Sequence, residues 1–128
     1  MILFHYKRNV TPILLVDDDV DLLATFEESL SLRGYDIVTA NNGKDAIVKY
    51  KEKKPCITFM DIRMPEMDGY EIFSKIKEIS DDAKIVFVTG HETTTKTQIA
   101  RKQGLIGVLE KPTDAEKIIE LIKANVAK

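Results

Sequence analysis

Five short apolar or β-branched stretches recur along the chain, near residues 13–17, 35–40, 56–61, 84–89 and 106–110. Each is separated from the next by a segment long enough for a helix. A run of about five residues with little polar alternation is the pattern of a strand buried on both faces. Parallel neighbours need a long crossover, and helical crossovers cover both faces of the sheet they join. Right-handed crossovers with one reversal of winding give the strand order 2-1-3-4-5. The sequence therefore predicts an α/β fold, a doubly wound five-stranded parallel sheet. The first and third strands then lie side by side at the switch point, where ligands of such sheets bind beyond the carboxyl ends.

The intervening segments carry helical patterning. Val20, Leu23, Phe26 and Leu30 recur at helical spacing, and Arg33-Gly34 ends that helix. Asn42 can cap the next, with Ala46, Ile47 and Tyr50 inward and Lys54-Pro55 as its close. Asp68-Gly69-Tyr70-Glu71 and Thr113-Asp114-Ala115-Glu116 both have capping-box spacing. The helices behind them bury stripes of Ile72, Ile76 and Ile79, and of Ile118, Leu121 and Ile122. The segment 92–104 is Thr-rich, with only Ile99 and Ala100 clearly apolar, and reads as the loosest helix. Residues 1–11 read as an N-terminal extension and 12–128 as one domain.

Composition narrows the function classes. A hydrophobic content of 44% with 31% charged residues is that of a globular domain with a real core. A formal charge of −2 gives no reason to expect nucleic-acid binding. The lysines at 49, 51, 53 and 54 read as a solvated helix tip. No apolar stretch approaches the roughly 18 residues of a membrane span, and His5, Lys7 and Arg8 interrupt the apolar N-terminus before a signal-peptide core could form. The single cysteine, Cys56, lies in an apolar run and reads as a small buried strand residue in a reducing compartment. The expected location is the cytoplasm, with no membrane partner.

Four of the five runs end in residues that can handle phosphate. The first leads into Asp17-Asp18-Asp19, the third into Asp61, the fourth into Thr89 and the fifth into Lys111-Pro112. At neighbouring strand ends these gather carboxylates, a hydroxyl and an ammonium in one crevice. Clustered carboxylates repel by a few kcal/mol at an effective dielectric of about 20, so they call for a cation. A hard divalent ion such as magnesium is held by one or two carboxylates, a carbonyl and waters beside phosphate. Taken alone, Asp17-Asp18-Asp19 is a polar turn with Asp19 as helix cap, Thr89 a strand residue and Lys111 a solvated lysine. Their occurrence together at equivalent strand ends favours the crevice.

Two other readings fit less well. Asp17, Asp19, Asp21 and Glu28 fall on positions one, three, five and twelve of a calcium-binding loop. Leu22 occupies the glycine position of that loop, and a strand-like run stands where a helix should precede it. A phosphatase acting through an aspartyl-phosphate resembles D-x-D, whereas Asp61-Ile62-Arg63 lacks the second acid.

With these motifs in order, the chain resembles the receiver domains of two-component response regulators, of the stand-alone chemotaxis-regulator type, from about Ile13 to Val126. Leu15-Val16-Asp17-Asp18-Asp19 is similar to the acidic pocket, and Met60-Asp61-Ile62-Arg63-Met64-Pro65-Glu66-Met67-Asp68-Gly69 to the phosphoacceptor segment. Val88-Thr89-Gly90 and Glu110-Lys111-Pro112 are similar to the switch and lysine segments. The resemblance implies a flavodoxin-like receiver fold in which Asp61 accepts a phosphoryl group from a phosphohistidine on a sensor histidine kinase or phosphotransfer protein. It implies magnesium on Asp18, Asp61 and the carbonyl of Arg63, with Asp17 acting through water. Lys111 would pair with Asp61 and then with its phosphate, Thr89 would donate its hydroxyl to the phosphate, and the Lys111-Pro112 bond would be cis. Such a domain is a phosphoacceptor switch that assists its own phosphorylation and dephosphorylation, not a turnover enzyme. Its output goes to a partner protein or an effector domain, through the last two helices and the fifth strand. A lone receiver and a piece of a longer regulator both fit.

The sequence departs from the family at the position three before the lysine, where many members carry an aromatic residue and this chain has Val108. A valine cannot swing inward as the aromatic does, so the Thr-rich segment 92–104 is expected to carry the signal. In this family, the positions two after the acceptor and two after the switch threonine tune phosphate lifetime. These are Arg63 and His91, with Gly90 between Thr89 and His91. His91 could add pH dependence between pH 5 and 8.

Overall fold

A computed structural model of the chain describes residues 11–90 and 94–126. Ten elements alternate strictly: β1 Ile13–Val16, α1 Val20–Leu32, β2 Ile37–Ala40, α2 Gly43–Lys53, β3 Ile57–Asp61, α3 Gly69–Ile79, β4 Ile85–Thr89, α4 Thr95–Lys102, β5 Gly107–Glu110 and α5 Ala115–Asn125. All strand pairs are parallel and the order is β2-β1-β3-β4-β5, as the alternation and crossover rules require. No helix among the described residues is long and apolar enough to cross a membrane. The boundary drawn at residue 11 falls at the edge of the described residues, and the rest of the predicted extension lies outside them.

Successive strand residues face opposite sides, so the sheet splits the core in two. Leu14, Val16 and Met60 pack with Ile72, Phe73 and Ile76 of α3 on one face. Ile13, Leu15 and Phe59 pack with Leu23 and Leu30 of α1 and Ile118 of α5 on the other. Asp19, Asn42, Asp68, Thr94 and Asp114 cap the five helices, each side chain accepting a backbone N–H of the first turn. Lys54 closes α2 in the left-handed region at φ 48°, and Gly34 follows α1 at φ 92°.

Several expectations need correction. The cap of α5 is Asp114, one residue later than the capping-box spacing indicated, and the Thr113 hydroxyl is buried without a partner among the described residues. A short acid at position 114 outcompetes the hydroxyl because it reaches the Lys117 N–H at 3.0 Å. Val20 and Ile79, the first residue of α1 and the last of α3, are 54% and 41% exposed. Leu121 is only half-buried over the edge strand β5. Cys56 is half-buried and precedes β3, its thiol directed at the Thr11 carbonyl. Lys49 is not a solvated tip: it pairs with Asp45 and donates to the Thr39 carbonyl.

Thr58, in the central strand, is fully buried, and its hydroxyl has no hydrogen-bond partner among the described residues. An unsatisfied buried donor costs roughly 1–3 kcal/mol, and valine has nearly the same shape without it. Thr58→Val is therefore expected to raise stability by about 1 kcal/mol. A urea midpoint at or below that of the parent would contradict this.

Candidate functional site

The register places the functional residues along one rim. Val16 pairs with Met60, so Asp17, just past the end of β1, stands beside Asp61, the last residue of β3. Val88 lies beside Asp61, and Thr89 beside Glu110, so Thr89 and Lys111 follow one step further out. Hydrogen bonds extend the ladder beyond the strands: Asp17 N–H donates to the Ala40 carbonyl at 3.2 Å, and Lys111 N–H to the Thr89 carbonyl at 2.8 Å. The rim is thus held by the backbone of four strands, and chain segments 94 residues apart meet there.

Asp17, Asp18 and Asp61 each turn one carboxylate oxygen into a common space, these atoms lying within 4.8 Å of one another. Asp17 and Asp61 are 6% and 7% exposed, whereas Asp18 is open to solvent, so the cluster has a buried floor and an accessible mouth. An all-oxygen set of this kind suits a hard divalent cation rather than a soft one. Asp17 is fixed from both sides, one oxygen accepting the Asp19 N–H at 2.9 Å and the other the Lys111 ammonium at 2.9 Å. Asp61 is held more loosely, with the Arg63 N–H at 3.4 Å from one oxygen and Lys111 Nζ at 3.4 Å from the other.

The sequence reading paired Lys111 with Asp61, but its shorter contact is to Asp17. The ammonium bridges both carboxylates. Burial pulls the Lys111 ammonium toward neutrality, yet the hydrogen bond and charge of Asp17, followed by Asp61, outweigh it and raise its pKa. The pKa of Asp61 is raised, chiefly by burial and further by the charge of Asp17; Lys111 and the Arg63 N–H offset only part of this. Charge repulsion was the effect anticipated from sequence, and desolvation is the larger one.

The loop after β3 owes its path to a close approach. Gly69 N–H donates to the Ile62 carbonyl at 2.8 Å, and a Cβ at Gly69 would stand 2.6 Å from the Asp61 carbonyl oxygen. Glu66 in the same loop has φ 69°. Arg63 is exposed, and with Thr89, Tyr70, Thr94 and Lys96 it lines a cleft of about 410 Å³ beside the carboxylates. Thr89 is 2% exposed and Gly90 is open to solvent, while His91 lies outside the described residues. Val108 is half-buried and flanks Phe87 in the sheet, and the Lys111-Pro112 bond is cis. Tyr70 and Lys96 had no place in the site read from sequence. Gly69 was read as the end of the phosphoacceptor segment and, with Tyr70, as part of a capping box, while Lys96 lay within the Thr-rich segment 92–104.

A five-stranded doubly wound sheet with an acidic pocket at its switch point, and a lysine bridging two of the acids, defines a class of α/β proteins whose ligand site lies beyond the strands' carboxyl ends. Within it, the sequence model described as response regulator receiver domain matches residues 13–123, and the chain belongs to that family. It is 34% identical over 115 residues to the chemotaxis protein CheY of Bacillus subtilis, covering 89% of this chain and 96% of that one. It is 32% identical over 110 residues to the transcriptional regulatory protein GlrR of Escherichia coli, covering 86% of this chain but only 25% of that much longer relative. Among solved structures, a CheY-like receiver domain protein from Methanospirillum hungatei superposes with a TM-score of 0.84 at 25% identity, covering 90% of this chain and 92% of that one. The CheX-CheY-BeF3-Mg2+ complex from Borrelia burgdorferi gives 0.83 at 26% identity, covering 95% of each chain.

Proposed function

We propose that the domain is a phosphorelay switch in which Asp61 takes a phosphoryl group from a phosphohistidine on a sensor histidine kinase or phosphotransfer protein. The observation that carries this reading is the three-carboxylate cluster bridged by Lys111 at the switch point of the sheet. Asp61 Oδ attacks phosphorus, the new O–P bond forms as the bond to the donor breaks, and the donor leaves with its electron pair. The buried rim positions the acceptor, which is most of what phosphoryl transfer asks of a protein. Lys111, already bridging Asp17 and Asp61, is the mobile point charge that follows the developing charge on the phosphoryl oxygens. Thr89 supplies a hydroxyl to a phosphoryl oxygen, and Arg63 with Gly90 and His91 tunes access of water to the acyl phosphate.

Magnesium fits the all-oxygen donor set; Asp18, Asp61 and the Arg63 carbonyl would hold it, and Asp17 would act through water. When bound, it neutralises charge on the acceptor and on the transferring phosphoryl group. Phosphorylation then shifts the population toward a second arrangement of the rim and α4, which is passed to an output partner or effector domain. That the similar Borrelia burgdorferi CheY forms a complex containing beryllofluoride and magnesium supports the reading.

Incubation with acetyl phosphate and magnesium, followed by intact mass measurement, tests it. One added phosphate is expected on the parent and none on Asp61→Asn. No gain on the parent would leave only a binding module on this fold.

A further inference from the structure

The position three before Lys111 holds Val108, so any aromatic link between rim and helices must lie elsewhere. The structure offers one on α3. The Tyr70 hydroxyl lies 2.9 Å from Thr94 Oγ1 and 2.8 Å from Thr97 Oγ1, and those two hydroxyls are 3.4 Å apart. Thr94 is the N-cap of α4, and its oxygen also accepts the Thr97 N–H. Thr97 is 1% exposed, so this hydroxyl cluster is shielded on the α4 side. The Tyr70 ring meets Phe87 edge-on at 5.4 Å, and Lys96 of the first turn of α4 lies 5.5 Å over it. Phe87 stands two residues before Thr89 on β4, and Tyr70 and Thr89 line the same cleft.

We propose that Tyr70 is the coupling residue of this domain: its hydroxyl latches the cap of α4 in the unphosphorylated state. The latch deepens the phosphoacceptor reading and rests on it for its trigger. Only residues 90–93 separate Thr89 from Thr94 along the chain. Thr89, Tyr70 and Thr94 line one cleft, and movement of Thr89 toward a phosphoryl group on Asp61 displaces Thr94 from the Tyr70 hydroxyl. The cap then loses its outside support, and α4, with only eight residues, has little helical stability of its own. Tyr70 acts through Thr94 and Thr97 and touches no reacting atom, so it is a positioning residue.

Amide hydrogen exchange on the 128-residue chain tests the latch, with and without magnesium plus beryllofluoride, in the parent, Tyr70→Phe and Thr97→Val. Phenylalanine keeps the ring on Phe87 and removes only the hydroxyl. In the absence of beryllofluoride, the amides of α4 should exchange roughly tenfold faster in both variants, as expected from losing one or two hydrogen bonds, while α1 and α5 exchange as in the parent. Beryllofluoride should speed exchange of α4 in the parent and leave the already released α4 of Tyr70→Phe unchanged. Parental α4 protection in Tyr70→Phe without beryllofluoride would overturn the latch. So would a beryllofluoride response of α4 as large in Tyr70→Phe as in the parent. If the parent fails to bind beryllofluoride at all, the phosphoacceptor reading falls, and the comparison without it still decides whether Tyr70 holds α4.

Discussion

Alanine at Gly69 is expected to cost the domain about 3 kcal/mol, the upper end for overpacking a tight site. The added Cβ would stand 2.6 Å from the Asp61 carbonyl oxygen and 2.8 Å from the Ile62 Cα. Both neighbours are backbone, and both belong to the strand end that carries Asp61, so neither can turn aside as a side chain would. The Gly69 N–H also holds the Ile62 carbonyl, so relief of the clash breaks the bond that returns the loop toward the strand. Gly107 is the control: a Cβ there meets only Leu121 and Val86 methyls at 3.8–4.0 Å, which is ordinary contact. Gly107→Ala should stay within about 0.5 kcal/mol of the parent. Urea unfolding of both variants measures the difference. Equal midpoints would mean that the chain passes Gly69 with more room than the structure gives it.

Gly69 also marks where sequence reasoning stopped. The five strands, their order and the meeting of Asp17, Asp18, Asp61, Thr89 and Lys111 at one rim were all legible. They follow from local signals, apolar runs and capping residues, combined with the handedness of crossovers. Contacts set by three-dimensional distance alone were not. Gly69 read as the end of the phosphoacceptor segment and the second residue of a capping box, but nothing local shows that the Asp61 carbonyl approaches it. Tyr70 read as an ordinary first-turn residue, since its partners Thr94 and Thr97 lie 24 and 27 positions away. The preference of Lys111 for Asp17 over Asp61 depends on differences of tenths of an ångström that no spacing encodes. Helix ends were misjudged for a related reason: Val20 and Ile79 obey the 3.6-residue period, but as the first residue of α1 and the last of α3 they stay exposed.

Asp61→Asn is expected to be more stable than the parent without metal at neutral pH, and to lose its response to magnesium. Burial, with Asp17 nearby, raises the pKa of the Asp61 carboxyl above its ordinary value of 3.8, although Lys111 and the Arg63 N–H partly oppose it. A carboxyl raised in the folded state holds its proton more tightly there than in the unfolded chain. Its ionisation therefore costs stability as pH climbs past the unfolded value, and the full cost is in place once the folded value has been passed. Asparagine carries no such cost, so its advantage should be on the order of 1 kcal/mol at pH 7. The advantage should shrink as pH falls through the ordinary value of 3.8 and vanish well below it, where the parent carboxyl is protonated in both states. Lys111 limits the effect without reversing it, because its 2.9 Å contact with Asp17 remains when the charge at position 61 is gone. Magnesium should invert the order. A ligand that binds only the folded state stabilises the parent by about 2.7 kcal/mol at a hundred times its Kd, and the variant, missing a central carboxylate, should gain far less. Melting curves with EDTA and with magnesium, at pH 4 and pH 7, read all of this directly. A parent and variant that shift equally with magnesium would remove Asp61 from the cation site, and a variant less stable than the parent in EDTA at pH 7 would show that Lys111 more than compensates for the buried charge.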